Sequence, residues 1–417
     1  MTHWSPVWNV EIDGIEYTNA VLANLTIASG RRNIYEQAQA GYVSLQLIDV
    51  DQTAIPVNIN STITVQVEDS AGTFVSIFGG NVVDIGLEVR DVGSTMFTQT
   101  YTITALGALA RLPKVIYTAA LARDFDGDQI YEVLSTALFN TWAQVAGGLT
   151  WGTYDPTTTW ATAENNGLGE IDRPGNYDLS ARAGSADPID VYSLVSALAT
   201  SGLGYLYEDA LGRIGYADST HRTQYLAANG YVDLSANHAL ARGIRIDTRV
   251  GDVRNAVTIK YGANSQNDVS ASDPDSIATY GNLAQIITTT LHDSTDATNQ
   301  ANFYLTLRAE PQPIFSEITY DLTNPELDNG DRDNLLNVFM GEAIALSDLP
   351  LNMASGSFQG FVEGWSFKAS YNRLTVTLFM SPLSYSLQAM RWNDVPVTET
   401  WASVSPTLEW QYATIVA

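Results

Sequence analysis

Val43, Leu45 and Leu47 alternate with Ser44, Gln46 and Ile48. Ile63, Val65 and Val67 alternate with Thr64 and Gln66, and Tyr101 and Ile103 with Thr100, Thr102 and Thr104. A period of two sends successive side chains to opposite faces, so these runs predict half-buried strands. Thr, Val and Ile dominate them, and such side chains fit a pleated surface. Turn signals separate the runs at Asp13-Gly14, Ala71-Gly72 and Gly79-Gly80-Asn81. Short strands at this spacing predict an antiparallel sandwich or barrel over residues 1–110.

The period then changes. Ile130, Val133, Leu134, Ala137 and Leu138 follow a helical stripe. The expected helix covers 128–145, capped by Asp126 or Asp128 and stopped by Gly147-Gly148. A stretch rich in Gly, Asn, Asp and Thr follows to 188, with Trp151, Tyr154, Trp160 and Tyr177 expected to pin it in an ordered loop. A second helix is expected over 188–201, then a hairpin from Tyr205 to Tyr216. Alternation returns after 243, with Ile244 and Ile246, then Val257, Ile259 and Tyr261. A polar loop is expected at 263–276, a helix near 295–309, and strands at 314–322, 342–347, 358–368 and 373–380. The fold class is therefore mainly β with an α+β insertion: two antiparallel β-barrel or sandwich domains separated by a small α/β segment. The boundaries are 1–110, 111–242, 243–382, and an aromatic extension at 383–417 expected to pack on the body or a partner.

The two β regions resemble each other. Phe78, Gly80 and Val82 are matched by Phe358, Gly360 and Val362, and Ile85 by Trp365. Ile63-Thr64-Val65 aligns with Ala343-Ile344-Ala345, and Tyr101–Thr104 with Leu374–Thr377.

Composition narrows the function. The 417 residues carry 20 Lys+Arg and 46 Asp+Glu, a net charge of −26, yet only 16% are charged and 45% are hydrophobic. That balance excludes a disordered acidic chain. It also argues against a binder of phosphate backbones. No cysteine is present, which removes disulfides, thiolate metal sites and thiol catalysis together. The N-terminus lacks a signal-peptide pattern, and no apolar run reaches the ~18 residues of a membrane span.

Catalytic motifs are missing: no Gly-x-Ser-x-Gly, no His-Glu-x-x-His and no Walker A loop. Gly202-Leu203-Gly204 reads as a helix stop. The histidines His3, His221, His238 and His292 are scattered and read as surface or satisfied core residues. Asp124, Asp126 and Asp128 have the first spacings of a calcium loop, but Gln129 and Ser135 stand where its glycine and glutamate belong. Glu164, Glu170 and Asp172 lie among aromatics, as paired carboxylates of glycosidases do. No catalytic, cofactor-binding or metal-binding residue is assigned, no cofactor is expected, and the chain is not expected to be an enzyme.

The order of parts resembles the tail-tip or baseplate hub proteins of tailed phages (minor tail proteins), a group that includes the N-terminal hub part of VgrG-type spike proteins. The resemblance is carried by Asn24–Ile27, Gly30–Glu36 and Gly41–Leu45; by the helix and hairpin from Ile189 through Leu203–Ile214; and by Arg254–Tyr261, Ser276–Gly281 and Val376–Pro382. It implies two tube-like β domains per chain and a homotrimer forming a pseudo-six-fold ring. Such a ring joins a six-fold tail tube or distal tail ring to three-fold fibre or spike proteins, beside the tape measure protein. It implies a channel through which DNA passes without specific binding, no membrane span, and a place in the virion at the tail tip after assembly in the host cytoplasm. A channel lined with carboxylates would repel phosphate. The competing readings are a distal tail protein, which has a single tube-like domain, and a glycan-binding or glycan-hydrolysing tail-associated protein, supported by nine tryptophans and the acidic loop.

Overall fold

The computed structural model describes residues 4–17, 20–34, 36–49, 55–90, 98–138, 171–184, 188–240, 244–311, 314–353, 356–370 and 372–383. The expected aromatic extension beyond Leu383, and Trp151, Tyr154, Trp160, Glu164 and Glu170, lie outside them.

The first β unit contains β1 (Trp8–Ile12), β2 (Ala20–Gly30), β3 (Gln39–Asp49), β4 (Thr62–Glu68), β5 (Phe74–Arg90) and β6 (Thr98–Leu106). They pair antiparallel in the order β2-β3-β6-β5-β4-β1. The alternation read from the sequence is the burial pattern. Val43, Leu45, Leu47, Ile63, Val65, Val67, Tyr101 and Ile103 are buried, while Ser44, Gln46, Thr64 and Thr102 are not. Each large apolar side chain so enclosed contributes roughly 1.5–3 kcal/mol.

The middle segment holds α1 (Asp126–Leu138), α2 (Val191–Ser201), the hairpin β7 (Tyr205–Glu208) and β8 (Ile214–Ala217), and α3 (His221–Asn229). The stripe of α2 buries Val191, Leu194, Val195 and Leu198. Its start is later than expected because Ile189–Asp190 pairs as a strand with Ile116–Tyr117. Asp190 then caps it, accepting from Ser193 N at 2.8 Å. The hairpin pairs Tyr205 with Ala217 and Glu208 with Ile214.

The second β unit begins with β9 (Val232–Ser235) and β10 (Arg245–Asp247). Then come β11 (Ala256–Tyr261), β12 (Asn267–Ser272), α4 (Pro274–Tyr280), β13 (Ala284–Thr288) and α5 (Ser294–Arg308), a three-stranded sheet with α5 packed on it. The expected loop at 263–276 is thus corrected. β12 lies inside it, paired antiparallel with β11. Its Asn-Asp-Val-Ser-Ala-Ser run is too polar to show a strand, because little of it is buried. The unit closes with β14 (Ile314–Asp321), α6 (Asn329–Leu336), β15 (Ala343–Ser347), β16 (Phe358–Ser370) and β17 (Arg373–Pro382). Its order is β10-β14-β17-β16-β15-β9, antiparallel except for the parallel pair β9 and β15. Pairing of β2 with β16 fuses both units into one mixed sheet, so the chain is mainly β with a small number of helices. Among the described residues, no helix is long and apolar enough to cross a membrane.

Candidate assembly site

The two β units share strand order, and their registers agree in detail. Gly80 lies opposite Ile63 and Gly360 opposite Ile344. A Cβ on Gly80 would strike Leu106 O and the Phe78 ring; on Gly360 it would strike Ser381 O and the Phe358 ring. In β5 the ladder steps from Val82 with Ala105 to Asp84 with Thr104, so Val83 bulges. In β16 it steps from Val362 with Met380 to Gly364 with Phe379, so Glu363 bulges. The sequence alignment of 78–85 with 358–365 therefore holds in space. The flanking alignments do not. Ile63–Val65 corresponds to Ile344–Leu346, one residue on, and Tyr101–Thr104 to Val376–Phe379, two residues on.

Where the units meet, β2 pairs with β16 from Asn24 opposite Ser370 to Gly30 opposite Gly364. Leu25 lies opposite Ala369 and Ile27 opposite Phe367, all buried. Gly30 has φ +81°, and a Cβ there would meet Glu363 O. Beside it the bulge turns the Glu363 carboxylate inward, to 1% exposure. It accepts from Arg31 Nε at 2.7 Å and from two Arg222 nitrogens at 2.7 and 2.9 Å. The Ser381 hydroxyl donates to it as well. Both guanidinium groups lie against the Tyr205 ring. Burial pushes Glu363 up, but Arg222 and Arg31 outweigh it and hold the carboxyl at about 2. Burial lowers Arg31, and Arg222 is raised because Glu363 overcomes its burial. The cluster binds a loop of the first unit, α3 and β16 together.

A second carboxylate ties the middle segment to the first unit. Glu208 accepts from Gly41 N at 2.6 Å and from Leu109 N. A Cβ at Gly107 would collide with it. Burial pushes Glu208 up to about 7 against those two donors. Gln37 adds a bond to Leu206 N at 3.0 Å.

The sheet's outer face crosses the joint without a break. Asp321, Thr375, Lys368, Thr26, Ser44, Thr104 and Asp84 are successive cross-strand partners over seven strands. Hydroxyl side chains fill most of this row, and its charges are two acids and one lysine. A hollow of about 470 Å³ opens on the same face, lined by Arg32, Glu36, Tyr42, Glu317, Lys368 and Phe379 among others.

Among the described residues, no three acidic or histidine side chains come together as a metal site. Asp124 bonds its neighbour Phe125 N, and Asp128 accepts from Arg173 Nε at 2.7 Å. Asp126 is fully buried and accepts from Asn176 N at 2.8 Å, Tyr177 N at 2.7 Å and the Tyr216 hydroxyl. It therefore fastens the 175–177 turn to the start of α1. Burial raises it to about 7. Asp172 accepts from Asp218 N at 2.7 Å and lies 3.0 Å from His221 Nδ1. His221 is a buried, bonded core residue, His238 lies 3.9 Å from Asp331, and His3 is outside the described residues. The Arg31, Arg222 and Glu363 cluster was missed by sequence reasoning. An isolated acid at 363 inside a strongly apolar strand was its one signal.

No protein-family model and no curated protein sequence matches the chain. Solved structures do. The 43 kDa tail protein of prophage MuSo2 from Shewanella oneidensis superposes with a TM-score of 0.55 at 12% identity, covering 91% of this chain and 99% of its own. A tail protein from Neisseria meningitidis MC58 gives 0.57 at 12% identity, covering 92% and 98%. The fold is shared over nearly the whole length of both.

Proposed function

We propose that this chain is a structural hub of a phage tail tip or a related injection device. Three copies would form a ring of six like β units, divided in each chain as 1–110 and 243–382 around the middle segment 111–242, from which β9 joins the second unit's sheet. The observation that carries this reading is the pair of β units with one strand order and one bulge position, fused edge to edge in a single sheet. A duplicated unit offers a six-fold partner six similar edges from three chains. The shared fold with two prophage tail proteins supports it.

In this reading the hub is a virion component. It sits between the tail tube or distal tail ring and three-fold fibre or spike proteins, near the tape measure protein. The Thr-rich outer face lines the passage for DNA. Short hydroxyl side chains present no row of cations to phosphate, and the net charge of −26 repels it. The work of such a part is geometric, with no reaction to catalyse.

Electron microscopy and mass photometry of the purified chain test the proposal. A trimeric mass and a ring with a central bore are expected. A monomer that binds or degrades peptidoglycan would move the chain to the glycan-active class.

A further inference from the structure

The joint inside the chain has a counterpart on β5 that no described strand covers. The matched bulges make Asp84 equivalent to Gly364, Leu87 to Phe367, Glu88 to Lys368 and Val89 to Ala369. On β16 this stretch is covered by β2, and Phe367 and Ala369 are buried. On β5 the corresponding edge pairs with no strand among the described residues. There Leu87 is 57% and Val89 47% exposed.

The strand that would fill this edge is also present. β10 occupies in the second unit the place of β2 in the first, and its outer edge likewise pairs with no strand among the described residues. Thr26 pairs with Ser44, which pairs with Thr104. Arg245 pairs with Glu317, and one step along from Ile318 with Leu378 places Glu317 beside Phe379, the equivalent of Thr104. Arg245 is therefore the equivalent of Thr26, and Thr26 lies opposite Lys368. Carried over by register to that edge, Arg245 falls opposite Glu88, Ile244 opposite Val89 and backbone position 246 opposite Leu87. Ile244 would meet Val89 and opposite charges would meet, as favourable cross-strand pairs require.

We infer that Asp84–Val89 of β5 is a docking edge for β10 of a second copy of this chain, an antiparallel strand addition that repeats the internal joint. This rests on the ring reading and names its copy-to-copy contact. Filling the edge also covers the exposed Leu87 and Val89 and removes an open strand edge of the kind that invites misassociation.

The absence of native cysteine makes the test direct. Directly opposed residues of an antiparallel pair come within roughly 4.5–5.5 Å between Cα atoms, inside disulfide range. The double variant Glu88→Cys with Arg245→Cys should give disulfide-linked oligomers under mild oxidation, and neither single variant should give a ladder. Leu87→Asp with Val89→Asp should lower oligomer affinity at least tenfold in mass photometry with an unchanged circular dichroism spectrum. Ile286→Asp, at an exposed site elsewhere, should leave assembly intact. Glu88→Arg should weaken assembly, and Arg245→Glu in the same chain should restore it. A wild-type trimer that stays intact in the Asp double variant and forms no disulfide ladder would overturn this contact and leave the ring standing. A wild-type chain that is monomeric at every concentration would overturn the ring itself.

Discussion

Glu363 shows how one backbone irregularity sets up a site. The bulge changes where a single side chain points, and that side chain meets two arginines separated from it by 332 and 141 residues. Removing its charge leaves two buried guanidiniums without their counterion. Glu363→Gln is therefore expected to destabilise the fold by about 3–5 kcal/mol, seen as a lower urea midpoint. Glu208 and Asp126 behave in the opposite electrostatic sense. Their ordinary values are 4.5 and 3.8, and both rise to about 7 in the folded chain. Folded protein thus binds more protons than unfolded protein between those values. The stability they add is present at low pH and is lost as pH rises through about 7. The unfolding free energy should fall between pH 5 and pH 8 by on the order of 1–3 kcal/mol per group, and the melting temperature should fall with it. Glu208→Gln should flatten part of that fall, and a wild-type profile with no slope there would contradict the assignment. Glu363 does not add to it, because its contribution is lost only as pH drops towards about 2.

Among elements, the strands were the most legible. Alternation at 43–48 and 63–67 located them, since one face of each is buried. Register was harder to read. A slip of two residues keeps every side chain on its face, so the alignment of Tyr101 with Leu374 looked sound although Val376 is the true counterpart. A bulge adds a residue without changing composition, so nothing in the sequence announces one at 83 or 363. β12 was invisible because its polar side chains are mostly solvated. The ionic cluster was illegible for another reason: its members come from three elements whose proximity exists only after folding. Gly80 and Gly360 carry a testable consequence of the shared register. An added methyl at either would strike a carbonyl and a Phe ring, whereas at Gly86 it would meet Thr102 at an ordinary 3.7 Å. Gly360→Ala should cost roughly 2 kcal/mol or more and Gly86→Ala under about 1 kcal/mol, read from thermal melts.

For the whole molecule, fold class could be read from the order of patterns, and the acidity from composition. That the two β units share one continuous sheet could not, because the pairing of β2 with β16 joins residues more than 300 positions apart. With a net charge of −26 and a hydroxyl-rich outer face, the assembled protein should not retard duplex DNA in a gel, even at about 20 mM salt where cationic contacts are strongest. A shifted band would reject the idea of a passage that lets DNA slide through. The twin bulges have a further consequence for how the chain tolerates change. Val83 is 41% exposed and Glu363 is enclosed by three partners. One geometric slot thus exists twice under two regimes of mutational freedom. A saturation library scored for folding should accept most residues at 83 and few at 363, so the halves of the chain can drift apart in sequence while their backbones stay superimposable.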